Sequence, residues 1–370
     1  MGIFKTMGLR EIINASGKMT ALGASAVSDE IADSLRKAAQ DYVDIDELME
    51  YTGKVIAEST GAEDGCPVVG AAAGIAIATA AVIAGENLSL IEKIPDTAGI
   101  RNEVIVQKGQ LVHFGASIGQ MIRIGGGKVI EVGQANKVEK EHIEQAVTEK
   151  TAALMYIKSH HAVQKGMQPL ETMLDIAQRY QLPFIIDAAA EEDFQKYIRF
   201  GADIVIYSGG KALAGPTSGM ICGKKQLMTA CRKQYKGVGR PMKIGKEGMA
   251  GLITALKQYP FKSSNTEQQM ERMTALCRKL EKIDGLRCSI KQDEAGREIY
   301  RAQIQVDENK TGFSAEKLLY LLESGNPAIY LRHHYVNVGI LSVDPRPLLP
   351  GQEDSIAEAI INIISEGKKK

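Results

Sequence analysis

The chain has 370 residues, 44% of them hydrophobic, which is enough for one large core and a second, smaller one. Lysine plus arginine and aspartate plus glutamate are equal at 45 each, so there is no overall basic field to drive non-specific binding to nucleic acid or to an anionic membrane. The five cysteines are odd in number and form no CxxC pair, which speaks against a disulfide framework or a zinc site and for reduced thiols in a cytoplasmic protein.

The amino terminus carries Lys5 and Arg10 but no continuous apolar core with a cleavage site, so no signal peptide is indicated. From about residue 20 to 250 helical patterns alternate with short apolar strands, the arrangement of βαβ units and a mainly parallel sheet. The patterning predicts helices over 28–40, 46–60, 71–84, 116–124, 139–148 and 169–180. Strands are expected at Glu103–Gln107, Lys128–Val132, Ala152–Ile157, Pro183–Asp187, Ile204–Tyr207 and Gly219–Cys222. The Ala-rich run from Gly70 to Gly85 is the longest apolar stretch and falls short of the roughly 20 residues a membrane span needs. Later the alternation changes character: a helical pattern over 264–283 sets Met270, Met273, Leu276 and Leu280 at three-to-four spacing. Alternating segments follow at Ile299–Val306 and Val336–Val343, then a last helix over 353–366. The expectation is a large α/β domain over 1–255, with an amino-terminal arm, and a small α+β domain over 256–370.

The most informative stretch is Asp203-Ile-Val-Ile-Tyr-Ser-Gly-Gly-Lys211-Ala-Leu-Ala-Gly-Pro-Thr-Ser-Gly219. A buried strand here runs into a loop of small residues that holds one lysine, at the strand end where open α/β sheets bind ligands. Twenty-four residues earlier a second apolar strand ends in Asp187. The pair suits pyridoxal phosphate, whose aldehyde condenses with an amine and whose pyridinium nitrogen needs an anionic partner. The plain alternative is a surface lysine after a strand and an aspartate capping the next helix.

After Val68-Val69, the run Gly70-Ala71-Ala72-Ala73-Gly74 opens a helix with small side chains. Its backbone N–H groups can approach an anion, a cofactor phosphate being the obvious guest, and Ser208 can add a hydroxyl; close helix packing explains the small residues equally well. His113 follows a strand-like segment and is placed to stack on an aromatic cofactor, against the alternative of a structural histidine. Ser159-His160-His161 ends another strand, where Ser159 or His160 would touch cofactor or substrate. A metal site there lacks a third ligand at a recognisable spacing.

Taken together, Asn14-Ala-Ser-Gly17, Gly133-Gln-Ala-Asn136, Asp187, Ser208-Gly-Gly-Lys211 and Pro327-Ala-Ile-Tyr-Leu-Arg332 resemble the selenocysteine-synthase-like group of fold-type-I pyridoxal phosphate enzymes, over nearly the whole chain. The resemblance implies a large seven-stranded, mainly parallel domain, a small C-terminal domain and active sites at a homodimer interface. It implies that Lys211 holds the cofactor covalently, Asp187 its ring nitrogen, and Ala71, Ala72 and Ser208 its phosphate, with Asn14 and Arg332 on the substrate. Members of the group that use tRNA carry a further module before the Asn14 segment, and the charge here is neutral, so no nucleic acid is expected as partner. The sequence is more similar to the branch of ammonia-lyases acting on a phosphorylated amino-sugar acid, D-glucosaminate 6-phosphate. Arg240 and Lys243, and with them Arg346, are candidates for a substrate phosphate, the alternative being solvated loop charge. The competing functions are a transferase acting on seryl-tRNA, another small amino-acid lyase of the cystathionine type, and a binding protein without catalysis.

Overall fold

The computed structural model describes residues 3–113, 115–159, 161–261, 266–293 and 298–367. It divides into two units, Ser25–Phe261 and a second that joins Met1–Ala24 to Lys262–Lys370. Strand β1 (Ile12–Ala15) belongs to the second. The Ser25–Phe261 unit is built on seven strands: β2 (Asp64–Val68), β3 (Glu103–Gln107), β4 (Lys128–Val132), β5 (Thr151–Ile157), β6 (Phe184–Asp187), β7 (Ile204–Ser208) and β8 (Gly219–Gly223). Their order across the sheet is β2-β8-β7-β6-β5-β3-β4, with β8 antiparallel to both neighbours and the other adjacent pairs parallel.

Strand side chains alternate between faces, and in the middle of this sheet both faces are covered, which is why β3, β5, β6 and β7 read as apolar runs. Leu154, Phe184, Ile186, Val205 and Tyr207 pack with Ile31, Val55, Ile56, Met173 and Leu252 from helices on one side. Met155, Ile157, Ile185, Ile204 and Ile206 pack with Ile75, Ala78 and Ala81 of the helix Ala71–Ala84 on the other. That helix is apolar all round because it is buried against the sheet. A Cβ at Gly74 would stand 2.7 Å from Ile206 Cγ2, so the missing side chain sets how closely the helix approaches β7. Strand β2 escapes the sequence patterning because Gly65 and Pro67 interrupt it; proline is tolerated since β2 is the last strand of the sheet.

In the second unit β9 (Leu286–Gln292), β10 (Tyr300–Val306) and β12 (Ile340–Val343) form an antiparallel sheet in the order β12-β10-β9. Strand β11 (Ala328–Leu331) pairs in parallel with β1, from Ile12 opposite Ala328 to Ala15 opposite Leu331. Helices Thr266–Leu280, Ala315–Ser324 and Gln352–Gly367 supply Met273, Leu276, Leu280, Leu318, Ile356 and Ile360 to its core. Residues 1–24 therefore go with the C-terminal unit and not with the large one expected to contain them: the pairing of β1 with β11 joins positions more than 300 apart, which no local pattern reveals. The expectation of five reduced thiols also needs correction. The helix Thr266–Leu280 lies on β9, and Cys277 is joined to Cys288 by a disulfide with the Cα atoms 5.1 Å apart, while Cys66, Cys222 and Cys231 are free and buried. No described helix is long and apolar enough to cross a membrane.

Candidate active site

Lys211 lies in the loop between the antiparallel strands β7 and β8, whose last pair is Ser208 opposite Gly219. Backbone bonds close the loop: Gly209 N–H donates to Ser218 O at 2.8 Å, Gly215 N–H to Gly209 O at 2.8 Å and Ala214 N–H to Lys211 O at 3.0 Å. Gly209 packs against Ser218, whose Oγ a Cβ at 209 would displace. Ala214 takes a left-handed φ of 56°, a conformation the surrounding bonds hold in place. Ser25 Oγ donates to Gly210 O at 2.8 Å and braces the residue before the lysine. The sequence carried no sign of Ser25, because the contact spans 185 positions.

Asp187 ends β6, opposite Ile206 of β7. By alternation its side chain leaves the sheet on the face of Ile185, and that of Ser208 on the face of Ile204 and Ile206, which is the face covered by the helix Ala71–Ala84. Burial pushes the Asp187 carboxyl up to about 6, against the pull of the Lys211 ammonium and of Ala189 N–H, which donates to Oδ1 at 3.2 Å. The carboxylate is thus largely ionised at neutral pH, within electrostatic reach of the lysine.

The helix Ala71–Ala84 begins beside them. Its first turn has no side-chain cap, so the N–H groups of Ala71 and Ala72 make no bond to a capping residue. A Cβ at Gly219 would lie 2.7 Å from Gly70 C and 2.9 Å from Ala71 N, so glycine at 219 leaves these amides uncovered next to Ser208. Free amides at a helix start, an adjacent hydroxyl, a lysine and a buried carboxylate on one face fit the phosphate, aldehyde and ring nitrogen of pyridoxal phosphate. The pattern of small residues signalled the helix start, whereas the contact made by Gly219 is visible only in three dimensions.

Other expected site residues are dispersed. Ser159 lies at the same sheet edge, after β5, but its hydroxyl accepts from His161 N–H at 3.2 Å and so helps to form its own turn. His113 is exposed beyond β3, on the far side of β5 from β6. His160 lies outside the described residues. Arg240 and Lys243 are exposed in and after the single turn Arg240–Met242. Asn14 and Arg332 belong to the other unit, at the ends of the paired strands β1 and β11. The Asn14 side chain is committed to its own turn, Oδ1 accepting from Ser16 N–H at 3.1 Å and Nδ2 donating to Gly17 O at 2.9 Å.

Comparison with known proteins bears on the chain as a whole. The chain is 43% identical over 350 residues to D-glucosaminate-6-phosphate ammonia lyase of Salmonella typhimurium strain 14028s, covering 95% of this chain and 94% of that one. It is 41% identical over 365 residues to 5'-C-glycyluridine monooxygenase-decarboxylase of a Streptomyces species, covering 98% and 92%. Among solved structures, one of a D-glucosaminate-6-phosphate ammonia-lyase superposes with a TM-score of 0.94 at 41% identity, covering 100% of this chain and 99% of that one. The architecture is that of the fold-type-I pyridoxal phosphate enzymes. The model of the family described as L-seryl-tRNA selenium transferase, SelA, matches residues 12–315, and the chain belongs to that family.

Proposed function

We propose that the protein is a pyridoxal-phosphate-dependent ammonia-lyase that converts D-glucosaminate 6-phosphate to a 2-keto-3-deoxy acid phosphate and ammonia. The observation that carries this reading is the likeness to the ammonia-lyase structure over the whole of this chain; the Lys211 loop, the buried Asp187 and the uncapped start of the Ala71–Ala84 helix support it. Bound pyridoxal phosphate supplies an electron sink for the substrate's α-carbon. In this reading Lys211 Nζ holds the cofactor until substrate arrives, then takes the α-proton. The Asp187 carboxylate would hold a proton at the ring nitrogen, and the Ala71 and Ala72 amides with the Ser208 hydroxyl would bind the phosphate. Loss of the C3 hydroxyl as water leaves an enamine, whose imine tautomer hydrolyses to the keto acid and ammonia.

A second reading is favoured by one observation, the 41% identity to a monooxygenase-decarboxylase. The two named substrates share a design: an α-amino acid whose side chain is a hydroxylated or sugar carbon. Incubation with D-glucosaminate 6-phosphate in the presence and absence of oxygen separates the readings. Equal ammonia and 2-keto-3-deoxy acid under both conditions supports the lyase. Turnover only with oxygen consumption and carbon dioxide release supports the decarboxylase. Turnover of seryl-tRNA, with no product from any sugar acid, defeats both.

A further inference from the structure

Three consecutive carbonyls lead through the lysine loop, and each is held. Gly209 O accepts from Gly215 N–H at 2.8 Å and Lys211 O from Ala214 N–H at 3.0 Å, both donors lying within the loop. Gly210 O, between them, accepts from Ser25 Oγ at 2.8 Å, and among the described residues no other donor reaches it. Gly210 is buried, so without that hydroxyl its carbonyl would stand in the interior with its hydrogen bond unmade.

The donor is carried by a braced pair of helices. Ser25 lies three residues before Ser28, whose Oγ caps the helix Asp29–Ala39 by accepting from Ile31 N–H at 3.4 Å. That helix is fastened to the helix Lys246–Gln258: the Thr254 and Ser34 hydroxyls pair at 3.0 Å, and Lys246 Nζ donates to Ala38 O. Gly251 of the second helix packs between Leu35 of the first and Pro216 of the lysine loop, where a Cβ would fall 3.0 Å from Leu35 Cδ2 and 2.8 Å from Pro216 Cγ. The same helix pair therefore touches the loop after the lysine and supports the hydroxyl that holds it before the lysine.

The Gly210 carbonyl lies in the peptide plane that also contains the nitrogen and α-carbon of Lys211. Two successive glycines leave the chain before the lysine with wide torsional freedom, and the bond from Ser25 stops this plane from turning. A turn of the plane would swing the root of the lysine side chain and displace its amine. Misplacing a reacting group by on the order of 1 Å can cost about a hundredfold in rate.

We propose that Ser25 is a positioning residue for Lys211: its hydroxyl fixes the peptide plane from which the reacting amine is aimed. The inference rests on the reading of Lys211 as the amine that holds the cofactor, and it is independent of which amino acid is the substrate.

The test compares Ser25→Ala and Ser25→Thr with the parent, at a temperature where all are folded. In the cofactor-free protein, amide hydrogen exchange at Ala214 and Gly215, read by peptide mass spectrometry, is expected to quicken by about tenfold or more in Ser25→Ala. The rate of covalent attachment of saturating pyridoxal phosphate, followed by absorbance, is expected to fall by about tenfold or more, with the half-saturating concentration within about twofold of the parent. Ser25→Thr, which restores the hydroxyl, should return both readouts most of the way. Parent-like exchange and attachment in Ser25→Ala overturn the proposal, and so does a lower melting temperature with an unchanged attachment rate, the mark of a merely structural bond. Should Ser25→Ala not fold, Ser25→Cys, which keeps a weaker donor, is expected to move both readouts in the same direction, and parent values for it overturn the proposal. A borohydride label found away from Lys211 in the parent defeats the reading of that lysine and this inference with it. A parent that attaches the cofactor at Lys211 but releases no ammonia from the sugar acid defeats the lyase reading alone.

Discussion

The Lys211 ammonium and burial act in opposite directions on one group, the Asp187 carboxyl, and burial prevails. Its pKa rises from 3.8 to about 6 on folding, so between those values the folded chain holds a proton that the unfolded chain has lost. Stability therefore falls as pH rises through that window, by up to about 3 kcal/mol. In the cofactor-free protein Asp187→Asn removes the ionisation, so the variant should resist urea better than the parent at pH 7.5, with the two converging below pH 4. The cofactor-loaded variant should lose most turnover, because an amide cannot hold the ring proton. A variant less stable than the parent at pH 7.5 would show that the carboxylate is not held against its solvation.

Lys211→Ala should fold and lose covalent attachment of the cofactor. Borohydride reduction followed by peptide mass spectrometry locates the label. The stringent control is Lys158, the first residue after β5, whose N–H donates to Asp187 O at 2.8 Å and which thus ends a neighbouring strand at the same sheet edge. Lys158→Ala should keep the label on Lys211. A label that moves to Lys158 or is lost from that variant would reassign the lysine.

The legible parts of this chain are those where a local pattern reports a local environment. Strands β3 and β5 to β8 could be read because both faces are buried, so Val104, Ile105 and Val106 or Ile204, Val205 and Ile206 stand as runs. Lys211 and Asp187 could be read because each closes such a run. What escaped depends on partners distant in sequence. Nothing near Ile12 announces Ala328, nothing near Ser25 announces Gly210, and Arg301 meets Asp344 only because β10 pairs with β12. Strand β9 was missed for a different reason: only Leu286, Cys288 and Ile290 alternate toward the core while the residues between them are exposed, a short period-two signal set among charged residues.

Gly219→Ala tests the phosphate cradle. The new methyl group would press on Gly70 C and Ala71 N from the end of β8, and backbone on both sides leaves little room to yield. The expected cost is about 1–3 kcal/mol of stability, together with a weaker hold on pyridoxal phosphate than on pyridoxal, read by equilibrium dialysis against each. A variant that loses affinity for both forms equally would place the cofactor phosphate away from this helix start.

Arg240 and Lys243 are exposed on either side of a single turn, so their replacement should leave the fold intact. If these two cations receive the substrate phosphate, the paired change Arg240→Gln and Lys243→Gln should raise KM for D-glucosaminate 6-phosphate by about tenfold or more, each charge-assisted contact being worth on the order of 1.5–3 kcal/mol. The same variant should treat unphosphorylated D-glucosaminate as the parent does. Measuring kcat/KM for both substrates in both enzymes gives the answer directly: an undiminished preference for the phosphorylated acid would return Arg240 and Lys243 to the role of solvated loop charges.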